Sequence, residues 1–91
     1  MKITLFQTAE SLDPSAITEN PEASLAGYIN QATAALEKAF PGIDVDHQEI
    51  EGWKAWKLEN LTDEQENNRG EIEREIQDIT ETVFQTGTFW E

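Results

Sequence analysis

The chain has 91 residues, enough for one domain with a single small core and too few for a second domain or a large enclosed active site. It carries 19 acidic and 6 basic residues, a net charge of −13, and so lacks the clustered Lys and Arg that direct binding to nucleic acid or to an anionic membrane requires. Its 37% hydrophobic content and eight aromatic residues predict a packed core rather than disorder. We therefore expect one folded domain, residues 1–91, that suits a basic protein surface.

The sequence contains no cysteine, which excludes disulfides and thiolate chemistry and is compatible with a cytoplasmic protein. No apolar run approaches the roughly 18 residues of a membrane span. We expect no signal peptide, no transmembrane helix and no lipid anchor.

The first half of the chain predicts a strand, a loop and a helix. Residues 2–8 predict the strand, because Ile3 and Leu5 alternate with Thr4. A strand this early in a chain is usually held by pairing on both sides or by the core. The polar segment 9–20 predicts a loop with at most a short turn. Asn20-Pro21-Glu22 then predicts a helix start, with Asn as the cap and Pro at the first helical position.

This first helix is predicted to end at Ala39 or Phe40, because Pro41 disfavours the helical conformation of the residue before it. Its spacing predicts a buried face made of Leu25, Ile29, Ala32, Leu36 and either Ala39 or Phe40. Small alanines along it allow close approach to a sheet or to another helix.

Two further strands are predicted next. Residues 43–50 predict the second strand, because Ile43, Val45 and His47 point one way and Asp44, Asp46 and Gln48 the other. Only one of these faces is apolar, as in a sheet with one covered face. Glu51-Gly52 predicts a turn, and residues 53–58 predict a third strand that forms a hairpin with the second. Either of its faces can be the core face, and a short helix is the weaker alternative for this segment.

The last third of the chain, residues 62–84, predicts a strongly acidic amphipathic helix. Thr62 and Gln65 have the spacing of a capping box, after which the helix either runs unbroken from Asp63 or starts near Gly70. An apolar stripe recurs at helical spacing: Ile72, Ile76, Ile79 and Val83. Gly87 predicts the helix end, and the aromatic residues Phe89 and Trp90 then either fold back onto the core or face a partner.

Most of the carboxylates of this helix lie off its apolar stripe. With about 100° per residue, Glu71, Glu75 and Asp78 cluster on one flank, while Glu81 lies about 60° from Asp78. One interpretation is a solvated helix surface; the functional interpretation is a rigid acidic surface for a basic partner. The residues expected to contact that partner are Glu71, Glu75, Asp78, Glu81, Glu64 and Trp90.

The element order predicts an α+β fold, β-α-β-β-α, with two helices packed on one face of a three-stranded sheet. No nucleotide-binding, nucleophile or metal motif occurs in the sequence. His47 is the only histidine, and Asp44 and Asp46 share a strand face without an EF-hand pattern. We therefore expect a protein that is not an enzyme and that holds neither a metal nor a cofactor.

Several short features together give the chain a family resemblance. They are the opening Met1-Lys2-Ile3-Thr4-Leu5, the first helix closing in Ala39-Phe40-Pro41, the following hairpin, the acidic last helix, and Glu81-Thr82 followed by Phe89-Trp90. In this order the chain resembles the DNA-damage-inducible protein I (DinI) family of small acidic bacterial and phage proteins. The resemblance implies a β-α-β-β-α fold with both helices on one sheet face.

The resemblance also implies a partner, the RecA recombinase, and modulation of the RecA filament in the SOS response. The acidic face of the last helix would then resemble the charge pattern of single-stranded DNA, through Glu71, Glu75, Asp78 and Glu81. Two alternatives stay open: a phage or mobile-element inhibitor of a host defence nuclease, such as an anti-CRISPR or anti-restriction DNA mimic, and a small structural or oligomerisation domain that associates through its tryptophans.

Overall fold

A computed structural model of the chain describes residues 1–12, 19–50 and 55–89. Four predicted features lie wholly or partly outside these residues: half of the predicted loop, the turn at 51–52, the first two residues of the predicted third strand, and Trp90. The elements are β1 (Lys2–Phe6), α1 (Ala9–Leu12), α2 (Pro21–Ala39), β2 (Asp44–Gln48), β3 (Trp56–Glu59), α3 (Asp63–Asn67) and α4 (Arg69–Thr86). The fold is α+β with a three-stranded sheet, as predicted.

The sheet has the order β2-β1-β3, so β1 is central. It pairs in parallel with β2, with Ile3 opposite Val45, and antiparallel with β3, with Ile3 opposite Leu58. The predicted hairpin between the second and third strands is therefore wrong, since β1 lies between them. The physical reason is burial: β1 has three consecutive buried residues, whereas β2 and β3 carry charged side chains that suit sheet edges.

One face of the sheet is covered by the two long helices. Ile3 and Leu5 of β1 and Leu58 of β3 are buried there together with residues of α2 and α4, among them Leu25, Ala32, Leu36 and Ile76. The other face holds the alternate residues of the strands, including Thr4, Asp44 and Lys57. The alternation of the three strands thus places the apolar side chains on the helical side.

The start and end of α2 follow local rules. Asn20 caps the helix by accepting a hydrogen bond from the Ala23 amide, 3.1 Å away, and Pro21 occupies the first turn. The helix ends at Ala39, and the Phe40 amide donates to the Leu36 carbonyl. The buried face differs from the prediction in that Tyr28 is buried, Ile29 and Phe40 are only partly buried, and Ala39 is exposed.

The predicted loop after β1 contains a single helical turn, α1, which brings Leu12 into the core at 2% exposure. Thr8 and Ser11 hold this turn by reciprocal hydrogen bonds between their amides and hydroxyls, at 2.9 and 3.0 Å. No helix in the parts of the chain that the structure describes is long and apolar enough to cross a membrane.

Both alternatives for the start of the last helix are partly right. Thr62 and Gln65 form the capping box, with the Thr62 amide donating to Gln65 Oε1 at 2.9 Å and the Gln65 amide donating to Thr62 Oγ1 at 3.2 Å. The helix α3 then stops at Asn67, Asn68 departs from helical geometry, and α4 begins at Arg69. Gly87 ends α4, as predicted.

Candidate partner-binding surface

The helix α4 is anchored by the apolar stripe that its spacing predicts. Ile76 is fully buried, while Ile72, Ile79 and Val83 are partly buried against the core. The spacing missed Thr80, which is also buried. Its hydroxyl donates to the Ile76 carbonyl at 3.0 Å, and because this bond stays within the helix, a polar side chain can be buried there at little cost. The stripe fixes which flanks of α4 face solvent.

Three carboxylates lie along one of these flanks and are named here the acidic ridge: Glu71, Glu75 and Asp78. All three side chains are exposed. Their i, i+4, i+7 spacing places them in one row about 10 Å long. None of them forms an ion pair with any residue that the structure describes. The acidic ridge is therefore an exposed row of carboxylates with no basic partner in the part of the chain that the structure describes.

The other predicted contact residues are placed differently. Glu81 is exposed and lies three residues after Asp78, so it extends the negative surface by one turn on the side of the ridge turned away from α2. Glu64 is exposed in α3, beyond the break at Asn68, and is not part of the row. Trp90 lies outside the described residues. The structure thus brings together Glu71, Glu75 and Asp78, with Glu81 beside them.

Arg69 neutralises acids on the opposite flank of the same helix. Its Nε donates to Glu73 and its Nη1 to Glu66, both at 3.0 Å, and Nη2 donates to the Leu58 carbonyl at 3.4 Å. The carboxylates of Glu73 and then Glu66 raise the pKa of the Arg69 guanidinium above its ordinary value. Arg69 thus joins α3, α4 and β3, and its charge is used away from the acidic ridge.

An apolar depression runs between α2 and α4 beside the acidic ridge and is named here the α2–α4 groove. It is lined by Ala35, Ile79, Thr82 and Val83, with Glu75 and Asp78 on its rim. Ala35 leaves the space open because it is small, and the partly buried Ile79 and Val83 supply an apolar floor. The groove was not predicted, although the run of small residues in α2 is a sign of it in the sequence.

A second depression lies on the other flank of α4, against β3. It is lined by Ala55, Trp56, Gly70, Glu73, Arg74 and Gln77. On this flank the two arginines, Arg69 and Arg74, offset the two carboxylates that Arg69 contacts. The strongly negative flank of α4 is therefore the one that faces α2.

The single histidine has a structural role in this geometry. His47 is partly buried, and its Nε2 donates to the backbone carbonyl of Gln7 at 2.9 Å, tying the end of β2 to the segment after β1. Asp46 accepts a hydrogen bond from the His47 amide at 2.9 Å. Within residues 1–12, 19–50 and 55–89, no three His, Asp or Glu side chains converge as a metal site would require.

Comparison with known proteins returns no relative for this chain: no family model, no curated protein and no solved structure matches it.

Proposed function

We propose that the protein is an acidic binding module that modulates a DNA-bound partner by presenting the acidic ridge in place of DNA. The observation that carries this proposal is a row of exposed carboxylates, without ion-pair partners among the described residues, on a helix whose other side is fixed in the core. Rigidity matters, because a preformed row of charge costs little ordering entropy on binding. The module acts without a cofactor and without catalysing a reaction.

The spacing of the acidic ridge favours mimicry of a single strand. Successive carboxylates rise by about 4.5–6 Å along the helix axis. One strand of DNA carries a charge every ~3.4 Å, and a duplex carries one every ~1.7 Å on two strands. The single, widely spaced row of the acidic ridge is closer to the charge pattern of a single strand than to that of a duplex. A defence nuclease inhibitor that copies duplex DNA would be expected to show a denser, two-row arrangement.

The partner we propose is RecA on single-stranded DNA, in the DNA-damage response. Two features support this choice. One is the resemblance of the chain to the DinI family, apart from the predicted hairpin, since β1 lies between β2 and β3. The other is the order of the three strands and the two long helices, which is the order that the resemblance implies. Net charge also supports a protein partner, since a chain at −13 is repelled by nucleic acid and attracted to basic protein surfaces. RecA binding would place the protein in the cytoplasm.

The test is a binding titration of RecA, with and without single-stranded DNA, at low and high salt. The variant carries Glu71→Lys, Glu75→Lys and Asp78→Lys; its matched control carries Glu10→Lys, Glu37→Lys and Glu49→Lys, which are equally exposed and lie off α4. Each reversal adds two charge units, so both triples change the net charge from −13 to −7. Far-UV circular dichroism verifies that both variants are folded.

We expect the affinity of the ridge variant for RecA to fall at least about a hundredfold and that of the control to fall a few-fold at most. The reason is that close charge pairs contribute far more to binding than distant charges do. High salt should weaken wild-type binding. Equal losses in the two triples would refute the ridge as the contact surface. The defence-inhibitor alternative would instead be supported by two results together: no RecA binding at low salt, and competition for a defence nuclease by duplex but not by single-stranded DNA.

A further inference from the structure

The α2–α4 groove lies directly against two residues of the acidic ridge and differs from it in chemistry. Its walls are almost wholly apolar, and its volume is about 250 Å³. A cavity of about 150 Å³ already holds a benzene molecule, so the groove has room for one aliphatic or aromatic side chain. An apolar side chain that covers this apolar lining removes it from water, which is favourable.

The charges on the rim limit what can occupy the groove. Glu75 and Asp78 form no ion pair with a described residue, so an occupant that brings no positive charge would leave both carboxylates partly desolvated and unpaired. A second copy of the chain would set one acidic ridge against another, and like charges oppose that arrangement. The occupant that suits the groove is therefore an apolar side chain, which contacts the floor, next to a lysine or arginine, which pairs with the carboxylates of the rim.

Spacing along α4 gives the arrangement of that partner segment. Glu75 and Ile79 are one helical turn apart, so Glu75 lies about 6 Å from that part of the apolar floor along the axis. A helical partner with basic residues three or four positions from its apolar residue would match this separation.

We propose that the α2–α4 groove binds one aliphatic or aromatic side chain of a basic, amphipathic segment of the partner protein, whose lysines or arginines contact Glu75 and Asp78. This inference rests on the proposed function and deepens it. Charge in the acidic ridge supplies the attraction, while the groove supplies a contact that salt does not screen and that nucleic acid does not make. The protein thereby distinguishes its partner from other basic surfaces.

The test uses two synthetic peptides of about 18 residues, long enough to form a helix. The first has lysines on one face and leucines at i, i+3, i+4 and i+7; the second has alanine at every leucine position and the same charge. Each is titrated into the isotope-labelled full chain and followed by amide chemical-shift mapping. The matched variant is Ala35→Leu, which fills the groove without altering charge, and its thermal unfolding confirms that it is folded.

We expect the leucine peptide to bind about tenfold more tightly than the alanine peptide, with shifts at Ala35, Ile79 and Val83, and we expect this preference to disappear in Ala35→Leu. The preference should persist at high salt. Equal affinity of the two peptides, or a preference that Ala35→Leu leaves unchanged, would overturn the inference. Shifts centred on Trp56 would overturn it as well, since they would place the contact on the other flank of α4.

The result separates this inference from the proposed function. If the two peptides bind equally while the ridge triple still abolishes RecA binding, the groove inference fails and the proposed function stands. If RecA does not bind at low salt while the leucine preference holds, the proposed function fails and the groove remains a site for another basic partner.

Discussion

Gly27 in α2 lies so close to Phe89 that a side chain at this position has no room. A Cβ built on Gly27 would be 2.7 Å from the Phe89 Cβ, and Phe89 itself is buried at 3% exposure. A side chain at Gly87 would also meet the Phe89 ring. Phe89, which follows α4, therefore packs onto the core at Gly27, where the absence of a side chain leaves room for it.

This contact predicts opposite effects for two glycine substitutions. Gly→Ala in a helix normally stabilises by about 0.5–1 kcal/mol, and Gly70→Ala in α4 should show that gain, because a Cβ added there would meet nothing within 4 Å. Gly27→Ala should instead lower the free energy of unfolding by about 1–3 kcal/mol, because Phe89 must move. Urea unfolding of both variants measures this. A stabilised Gly27→Ala variant would mean that the segment is not held at this place.

The ionisation of Tyr28 should make stability fall at high pH. Its ring meets Phe89 edge to face, with centroids 5.4 Å apart, and burial raises the pKa of its phenol above the ordinary value of 10.0. The folded state then keeps a proton that the unfolded state loses. The stabilisation is fully present below about pH 10 and is lost as the pH rises from there through the raised folded value.

Tyr28 is the only tyrosine, so an absorbance titration of phenolate reports on it alone. We expect a midpoint above 10.0 in the folded protein and a return to the ordinary value in urea. Tyr28→Phe keeps the ring contact, and its unfolding free energy should fall less between about pH 8 and about pH 10.5, since lysines titrate equally in both proteins. The same loss in both proteins would contradict the assignment.

Ile76 and Ile50 should differ sharply on truncation to alanine. Ile76 is fully buried at the centre of the α4 stripe, whereas Ile50 is 52% exposed. Ile76→Ala should cost about 2–5 kcal/mol, a large part of the roughly 5–14 kcal/mol expected for a domain of this size. Ile50→Ala should change stability by no more than about 0.5 kcal/mol. Thermal and chemical unfolding compare the two, and a small loss in Ile76→Ala would place α4 off the core.

The capping box at the start of α3 should be worth about 1 kcal/mol. Thr62→Ala removes the oxygen that accepts a hydrogen bond from the Gln65 amide. The free energy of unfolding should then fall by about 0.5–2 kcal/mol. Thr62→Ser keeps the oxygen and should retain most of the stability. Hydrogen exchange of the Gln65 amide gives a local readout, which should speed up in Thr62→Ala and change little in Thr62→Ser.

Much of the local structure was predictable from the sequence. The Asn20-Pro21 start of α2, the capping box at Thr62, the apolar stripe of α4 and the stop at Gly87 are all observed as predicted. Each depends on groups within four residues of one another, so its partners are visible in the sequence itself. The exposure of the acidic ridge follows for the same reason, because the stripe determines which side of the helix faces solvent.

Contacts between residues far apart in the chain were decided only by the tertiary structure. The place of β1 between β2 and β3, the burial of Tyr28 and Phe89 against each other, and the α2–α4 groove each join distant segments. A local hairpin was the simpler expectation for the second and third strands. The hairpin does not form because β1, the strand with the most buried residues, gains most from pairing on both edges. The charged strands β2 and β3 are best tolerated where one edge meets water.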